Sequence, residues 1–368
     1  MENFQTMIDK TICFFNSTKT WGGGEKWHFE IASALFEKGY KIIFFTNPDS
    51  ELFKKLSETK ICTIPVKISN LSFINPLKIL FLKKKFEEKN IGTIIMNLSA
   101  DLKVAGLASK LAGIIRIVYR RGSAIPIKDT FLNRLIFKNI LTEVIANTEA
   151  TKKTILQNNP NLFPENKIKV IYNGIDLTYF ELQNEQPESK SKNTVIIGNI
   201  GRLVEQKAQY LLIKLAAILK EKQISFKILI GGSGPLEKEL KEETFNAGLS
   251  EYIEFTGFVE NPNEFLNRID IFVLTSKWEG FGYVLAEAGA CKKPVIAFDI
   301  SSNPEIIINN QTGFLVPFPD MQLVAQKIIF LSTNKEFAIK MGENARINIQ
   351  NKFTTENTVR EIENFLKQ

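Results

Sequence analysis

The chain is poor in the residues that metal and redox chemistry usually need. It has three cysteines and one histidine. Cys13, Cys62 and Cys291 are odd in number and far apart, which fits reduced thiols in the cytosol better than a disulfide framework or a metal site. No D-x-D pair and no His/Cys cluster occurs, so no metal is expected. The single histidine, His28, falls among Trp27, Ile31, Ala32 and Leu35 at helical spacing, a place for packing rather than for a general base. The dinucleotide spacing G-x-G-x-x-G is missing, which counts against a nicotinamide enzyme. The longest apolar stretch, "VAGLASKLAGIIRIV", is broken by Lys110 and Arg116, so no transmembrane helix is expected. The opening "MENFQTMIDK" is acidic and polar, unlike a secretory signal, and points to a cytoplasmic protein. There is no low-complexity tract and no solenoid period.

What is present suits an ordinary soluble protein of two or three domains: 368 residues, 44% of them apolar. The charge is shared unevenly. Residues 1–180 carry 26 Lys+Arg against 16 Asp+Glu, a balance of +10, whereas the remainder carry 21 against 24, or −3. A basic first half suggests an anionic partner, a membrane surface or a phosphorylated acceptor, or else a solvated lysine-rich face, and segments such as "KILFLKKKFEEK" suggest contact with an anionic membrane. Nucleic acid is not expected as a partner, because no recognised binding motif accompanies the charge.

Short β-rich runs alternate with helical patterns. "TICFFN", "KIIFFT", "ICTIPV", "GTIIMN", "RIVYR", "EVIAN" and "IKVIYN" form a first series, and residues 25–38 and 76–89 show helical spacing between them. The polar stretch 181–193 reads as a linker. "TVIIGNIG", "FKILIGG", "YIEFTG", "DIFVLTS", "PVIAF" and "GFLV" then form a second series, closed by helical segments near 319–332, 334–349 and 354–367. The pattern predicts an α/β fold of two doubly wound domains facing across a cleft, with ligands at the carboxyl ends of the strands. The expected domains are 1–180 and 194–350, followed by a closing helix at 351–368.

Three loops carry the chemistry. Gly22, Gly23 and Gly24 sit between the first strand and the first helix, where backbone N–H groups and the helix N-terminus favour an anion. Arg202 and Lys207 follow the first strand of the second series, and two cations at that spacing can clamp both phosphates of a nucleotide diphosphate. In "KWEGFGYVLAEAGAC", Glu279 lies in the turn after a strand and Glu287 about two helical turns further on. A carboxylate accepting two vicinal hydroxyls is a natural holder for a sugar, and Gly280 and Gly282 let main-chain N–H groups approach it.

Jointly these stretches resemble the family 4, or group 1, retaining glycosyltransferases of GT-B fold. "EGFGYVLAE" is similar to the family's E-x7-E signature, "GRLVEQK" to its Arg-x4-Lys element and "GGGEK" to its N-terminal glycine loop. "VIANTEATKKTI" and "VIYNGID" are similar to the family's interdomain approach. The resemblance spans about residues 11–368. It implies that Arg202, Lys207 and Glu279 are catalytic, the two cations stabilising the departing nucleoside diphosphate while Glu279 holds the donor sugar with the backbone of Gly280, Phe281 and Gly282. It further implies that Glu287 holds the ribose, that the base lies near Phe258 and Val259, and that Gly22–Gly24 face the diphosphate from an acceptor-side first domain. A hexose-type sugar would pass with retention of configuration from a nucleotide diphosphate sugar to a glycan or lipid-linked acceptor, as in cell-surface glycan or lipopolysaccharide-type synthesis at the inner face of the membrane, without a metal or other cofactor. The same fold leaves open an epimerase, a phosphorylase or a catalytically silent binding subunit. Two positions depart from the pattern. Ala208 stands where a glycine commonly follows the lysine. Arg120 stands near the place of a family histidine, which makes Arg120 and Arg121 candidates for a donor-sugar or acceptor contact.

Overall fold

The computed structural model describes residues 10–180 and 194–368. The linker expected at 181–193 and the first nine residues lie outside them. The chain divides into two compact units, one of Met1–Asn173 with Thr355–Gln368 and one of Gly174–Thr354.

The first unit is built on seven strands: β1 (Thr11–Asn16), β2 (Ile42–Thr46), β3 (Cys62–Pro65), β4 (Ile91–Met96), β5 (Arg116–Arg121), β6 (Glu143–Ala146) and β7 (Ile168–Val170). Their order across the sheet is β3-β2-β1-β4-β5-β6-β7, and every pairing is parallel. Strands covered on both faces need apolar side chains in every position, which is why "TICFFN" and "IIFFT" read as continuous rather than alternating runs. Cys13, Phe15, Ile43 and Phe45 enter the core on one face of the sheet; Ile12, Phe14, Ile42 and Phe44 enter the other.

That second face is covered by the helix Gly23–Glu37, through Trp27, Ile31 and Leu35, and by the last helix, Thr355–Lys367, through Val359, Ile362 and Phe365. Arg116 fastens the end of the last helix. Its guanidinium donates to the carbonyls of Phe365 and Leu366, both at 2.9 Å, lies 4.5 Å from the Phe365 ring centroid and forms a two-pronged ion pair with Glu143 at 2.6 and 2.8 Å. Helix carbonyls that would otherwise lack donors thus meet a cation that also favours the helix C-terminus.

The second unit repeats the plan with β8 (Val195–Ile200), β9 (Phe226–Gly231), β10 (Ile253–Gly257), β11 (Ile271–Leu274), β12 (Val295–Phe298) and β13 (Gly313–Val316). The order is β10-β9-β8-β11-β12-β13, again parallel throughout. In both sheets the strand order reverses beside the first strand of the series: between β1 and β4, and between β8 and β11. Ligand sites of open α/β sheets lie beyond the carboxyl ends of the strands at such reversals.

Candidate active site

At the reversal in the second unit, the loop after β8 is stitched to the loop after β11. Asn199 donates to the carbonyl of Val273 at 2.7 Å, the Lys277 amide to Gln206 at 2.8 Å, the Gln206 side chain to the Trp278 carbonyl at 2.8 Å and the Thr275 hydroxyl to the Lys207 carbonyl at 2.9 Å. Lys277 and Glu205 add an ion pair. This lattice brings together Lys207 and Glu279: Nζ lies 2.5 Å from Oε1, with the side chains only 15% and 7% exposed. Ser276 donates to the same oxygen at 2.6 Å. Oε2 of Glu279 has no partner among the described residues, so one acceptor remains for a ligand.

Arg202 is exposed at the start of the β8 loop, and its guanidinium joins no ion pair among the described residues. Its carbonyl is held by the Gln209 side chain at 3.0 Å, so the backbone is fixed while the cation is available. Lys207 ends a 3-10 turn, Glu205–Lys207, and Ala208 after it takes a left-handed conformation, φ 49° and ψ 42°. That geometry favours glycine and costs another residue about 1 kcal/mol, which gives physical content to the departure seen at this position.

Gly282 starts the helix Tyr283–Ala290 at φ 71°, a left-handed position where a side chain would be strained. Phe281 is buried against Tyr283 and Phe353, so only its backbone can face a ligand. The Gly280 carbonyl neighbour Glu279 is tied through its own carbonyl to the Ser302 hydroxyl at 3.3 Å. Glu287 sits on the helix and is only 6% exposed; it is not an ordinary solvent-facing helix residue. Phe258, by contrast, is 71% exposed just past β10, with Val259 partly covered beside it. An aromatic ring left in water beyond a strand end is a platform on which a nucleobase can stack.

At the reversal in the first unit, a row of polar residues marks the carboxyl ends of the strands. Asn16, Asn47, Asn97, Asn147 and Asn173 stand there, four of them buried. Glu25, in the first turn of the helix Gly23–Glu37, accepts from Asn16 at 3.1 Å and Asn97 at 3.5 Å. Gly22 caps that helix and Gly23 opens it. Gly24 lies so close to Asn97 that a Cβ would come within 2.4 Å of its amide nitrogen, so a side chain here would have to displace the Asn97 amide.

Arg120, at the end of β5, is 2% exposed. It donates to Asn97 at 3.0 Å and Asn173 at 2.7 Å and lies 4.8 Å from the Trp27 ring centroid. Arg121 donates to the Tyr119 hydroxyl at 3.2 Å and the Ile125 carbonyl at 2.5 Å. His28 is fully buried against Phe14, Trp27 and Phe44; burial, helped by the Arg120 charge, holds its pKa well below the ordinary value. It is neutral at pH 7 and packed. Asp101 accepts from the Ser17 amide at 3.1 Å and bonds the Ser17 hydroxyl, and burial pushes its carboxyl up to about 7 against those bonds. Among the described residues no group of three or more His, Cys, Asp or Glu is placed to hold a metal ion, and no helix is long and apolar enough to cross a membrane.

Ser276, Gln206, Ser302 and the asparagine row escaped the sequence reading. The row did leave a signal, because the strand runs of the first half repeatedly end on Asn.

Comparison with known proteins gives the family and the fold. The model described as Glycosyltransferase Family 4 matches residues 21–179, and that described as Glycosyl transferases group 1 matches residues 181–348. The chain belongs to the group 1 (family 4) glycosyltransferases. This family member is 32% identical over 247 residues to the capsular polysaccharide biosynthesis glycosyltransferase CapM of Staphylococcus aureus, a match covering 62% of the chain and 63% of that relative. It spans 42% and 62% of the length of two further curated relatives. Its GT-B fold matches a glycosyltransferase structure from Rickettsia africae ESF-5 with a TM-score of 0.86 and 25% identity, over 97% of this chain and 98% of that one. Anabaena HepE, solved with UDP and glucose, matches with a TM-score of 0.82 and 22% identity over 97% and 99% of the two chains.

Proposed function

We propose that the protein is a retaining glycosyltransferase that moves a hexose-type sugar from a nucleotide diphosphate sugar to a glycan or lipid-linked acceptor. The setting we infer is the synthesis of capsular, exopolysaccharide or similar cell-surface glycans. One observation carries the reading: the buried Lys207–Glu279 pair stands where the strand order of the second unit reverses, with the uncommitted cation Arg202 on the same loop as Lys207.

In this mechanism Arg202 and Lys207 meet the diphosphate. The bond between the anomeric carbon and the β-phosphate oxygen breaks, and its electron pair stays on that oxygen. Charge grows there, and fixed cations lower the barrier because they stabilise the transition state more than the bound donor. The acceptor hydroxyl oxygen bonds the anomeric carbon from the face the phosphate leaves, and its proton passes to the departing phosphate oxygen. No side-chain base is required. Glu279 accepts from donor-sugar hydroxyls through the oxygen that Lys207 and Ser276 leave open. Glu287 takes the ribose hydroxyls, and Phe258 stacks on the base. In the first unit the glycine turn is the candidate for contact with the diphosphate, and Arg120 and Arg121 are the candidates for contact with the donor sugar or the acceptor.

A thermal-shift screen of UDP-, GDP- and ADP-sugars tests the donor, since a ligand that binds only the native state raises its midpoint. The positive donor is then incubated with the enzyme and analysed for free nucleoside diphosphate and for the anomer formed. Release of nucleoside diphosphate with the donor's configuration kept is expected. Isomerised donor with no release identifies an epimerase instead, and no shift with any nucleotide overturns the reading.

A further inference from the structure

Two helices of the second unit, Tyr210–Glu221 and Glu237–Asn246, leave a cavity between them. The first lines it with Tyr210 and Lys214, the second with Glu239, Leu240 and Glu243. Glu205, Gln209 and Leu236 close its ends. Its volume is about 240 Å³, below that of cavities that take drug-sized ligands, so its occupant is compact.

The glutamates of the second helix divide into two sets. Glu237 and Glu242 pair with Lys241 and Lys238 at 2.8 and 3.7 Å, each across one helical turn. Glu239 and Glu243, which line the cavity, enter no ion pair among the described residues. They too stand one turn apart, and like charges at that spacing weaken a helix unless a cation lies beside them. Glu205 is held by Lys277, and the Lys214 ammonium lies 5.4 Å from the Tyr210 ring centroid. The lining therefore carries three carboxylates against one ammonium.

A buried acceptor points the same way. Gln209 is 1% exposed, and its side-chain nitrogen donates to the Arg202 carbonyl at 3.0 Å. Its side-chain oxygen is buried with no hydrogen-bond partner among the described residues. Leaving such an acceptor unmatched costs stability, so the site calls for a donor. Carboxylates, an amide oxygen and a tyrosine ring all attract an ammonium group. Leu240, buried, and Leu236, partly buried, offer apolar cover to a methylene chain. A metal ion would engage the carboxylates and leave the leucines unused. An aliphatic diamine engages every part.

We propose that this cavity binds a small aliphatic diamine, and that its occupancy steadies the loop carrying Arg202 and tightens the hold on the nucleotide. Gln209 joins the cavity to that loop through the Arg202 carbonyl, and the Leu236 amide joins it through the Leu203 carbonyl at 3.1 Å. A ligand that satisfies the Gln209 oxygen fixes the side chain that fixes Arg202. The coupling is reciprocal, so nucleotide tightens the diamine by the same factor. Binding of the diamine stands by itself, whereas the coupling rests on the donor-site reading.

The test is calorimetric titration of the full chain with putrescine at fixed ionic strength, with and without the nucleoside diphosphate found by the donor screen. Binding at a single site is expected, tightened about fivefold or more by the nucleotide. Combined Glu239→Gln and Glu243→Gln should weaken putrescine about tenfold. That double variant should bind nucleotide alone as the wild type does, with no gain from putrescine. Glu242→Gln, on the same helix but outside the cavity, should change nothing. Butanediol, which lacks the charges, and magnesium chloride, which lacks the chain, should not compete. No binding of putrescine, equal competition by butanediol or magnesium, undiminished binding by the double variant, or equal loss with Glu242→Gln overturns the site. Putrescine binding that leaves nucleotide affinity unchanged overturns the coupling. If the chain binds putrescine but no nucleotide, the site stands, while the donor reading and the coupling with it fail.

Discussion

Lys207 and Glu279, 72 residues apart in the sequence, share an ion pair of 2.5 Å in which the glutamate also accepts from Ser276. The cation assigned to the leaving group is thus held by the carboxylate assigned to the sugar. The two should not behave as independent residues. Lys207→Ala and Glu279→Ala are each expected to cost up to about 3 kcal/mol of stability, because each leaves a largely buried charge unpaired. The double variant should cost less than the sum by at least about 0.5 kcal/mol. Urea unfolding of the three variants measures this, and strictly additive losses would show that the pair contributes nothing as a pair.

Turnover should also fall, by roughly 100- to 1,000-fold for Lys207→Ala and substantially for Arg202→Ala, since both face charge that grows as the C–O bond breaks. A surface change such as Lys238→Ala is the reference. Near-normal rates for both Arg202→Ala and Lys207→Ala would remove the phosphate assignment.

The two glutamates should fail differently. Glu287→Gln is expected to weaken both the donor and the bare nucleoside diphosphate by roughly ten- to hundredfold, the cost of about 1.5–3 kcal/mol for a charged hydrogen bond. Glu279→Gln should spare the bare nucleotide and lower donor affinity or transfer. Calorimetric titration with both ligands decides this; equal weakening of the bare nucleotide by the two variants would contradict the division.

Asp101 gives a pH prediction. Burial raises its carboxyl to about 7 in the folded chain, against about 3.9 in an unfolded one. Between those values the folded state holds the extra proton, so this group's contribution to stability is whole below pH 4 and is lost as pH rises to 7. Asp101→Asn resembles the protonated acid and can still bond Ser17. It should match the wild type at about pH 4 and below and exceed it by roughly 2–4 kcal/mol above pH 7. Melting curves across that range check it, and a constant difference at all pH values would refute it.

Much of this was legible from local pattern. All thirteen strands follow apolar runs visible in the sequence, and the buried central ones leave an unbroken signature. Gly282 and Glu279 were legible because a glycine between a strand and a helix marks a turn. What could not be read was anything set by distant partners. Nothing near Arg116 announces that it will hold the carbonyls of Phe365 and Leu366, and nothing near Phe281 says that Phe353 will bury its ring.

Arg116 supplies a further prediction. Arg116→Ala should free the last turn of Thr355–Lys367 and cost about 3 kcal/mol, since it strands Glu143 and two helix carbonyls together. Faster hydrogen exchange confined to that helix is the expected readout, and unchanged protection would show that apolar packing alone holds it.

The chain leaves the first unit after Asn173 and returns to it at Thr355, so the second unit is an insertion in the first. During synthesis the ribosome must therefore complete the whole insertion before Val359, Ile362 and Phe365 exist to cover their side of the sheet. The first unit begins to form earliest and closes last. For that interval its apolar face stands open to chaperones, and the second unit is the first part of the nascent protein able to finish folding.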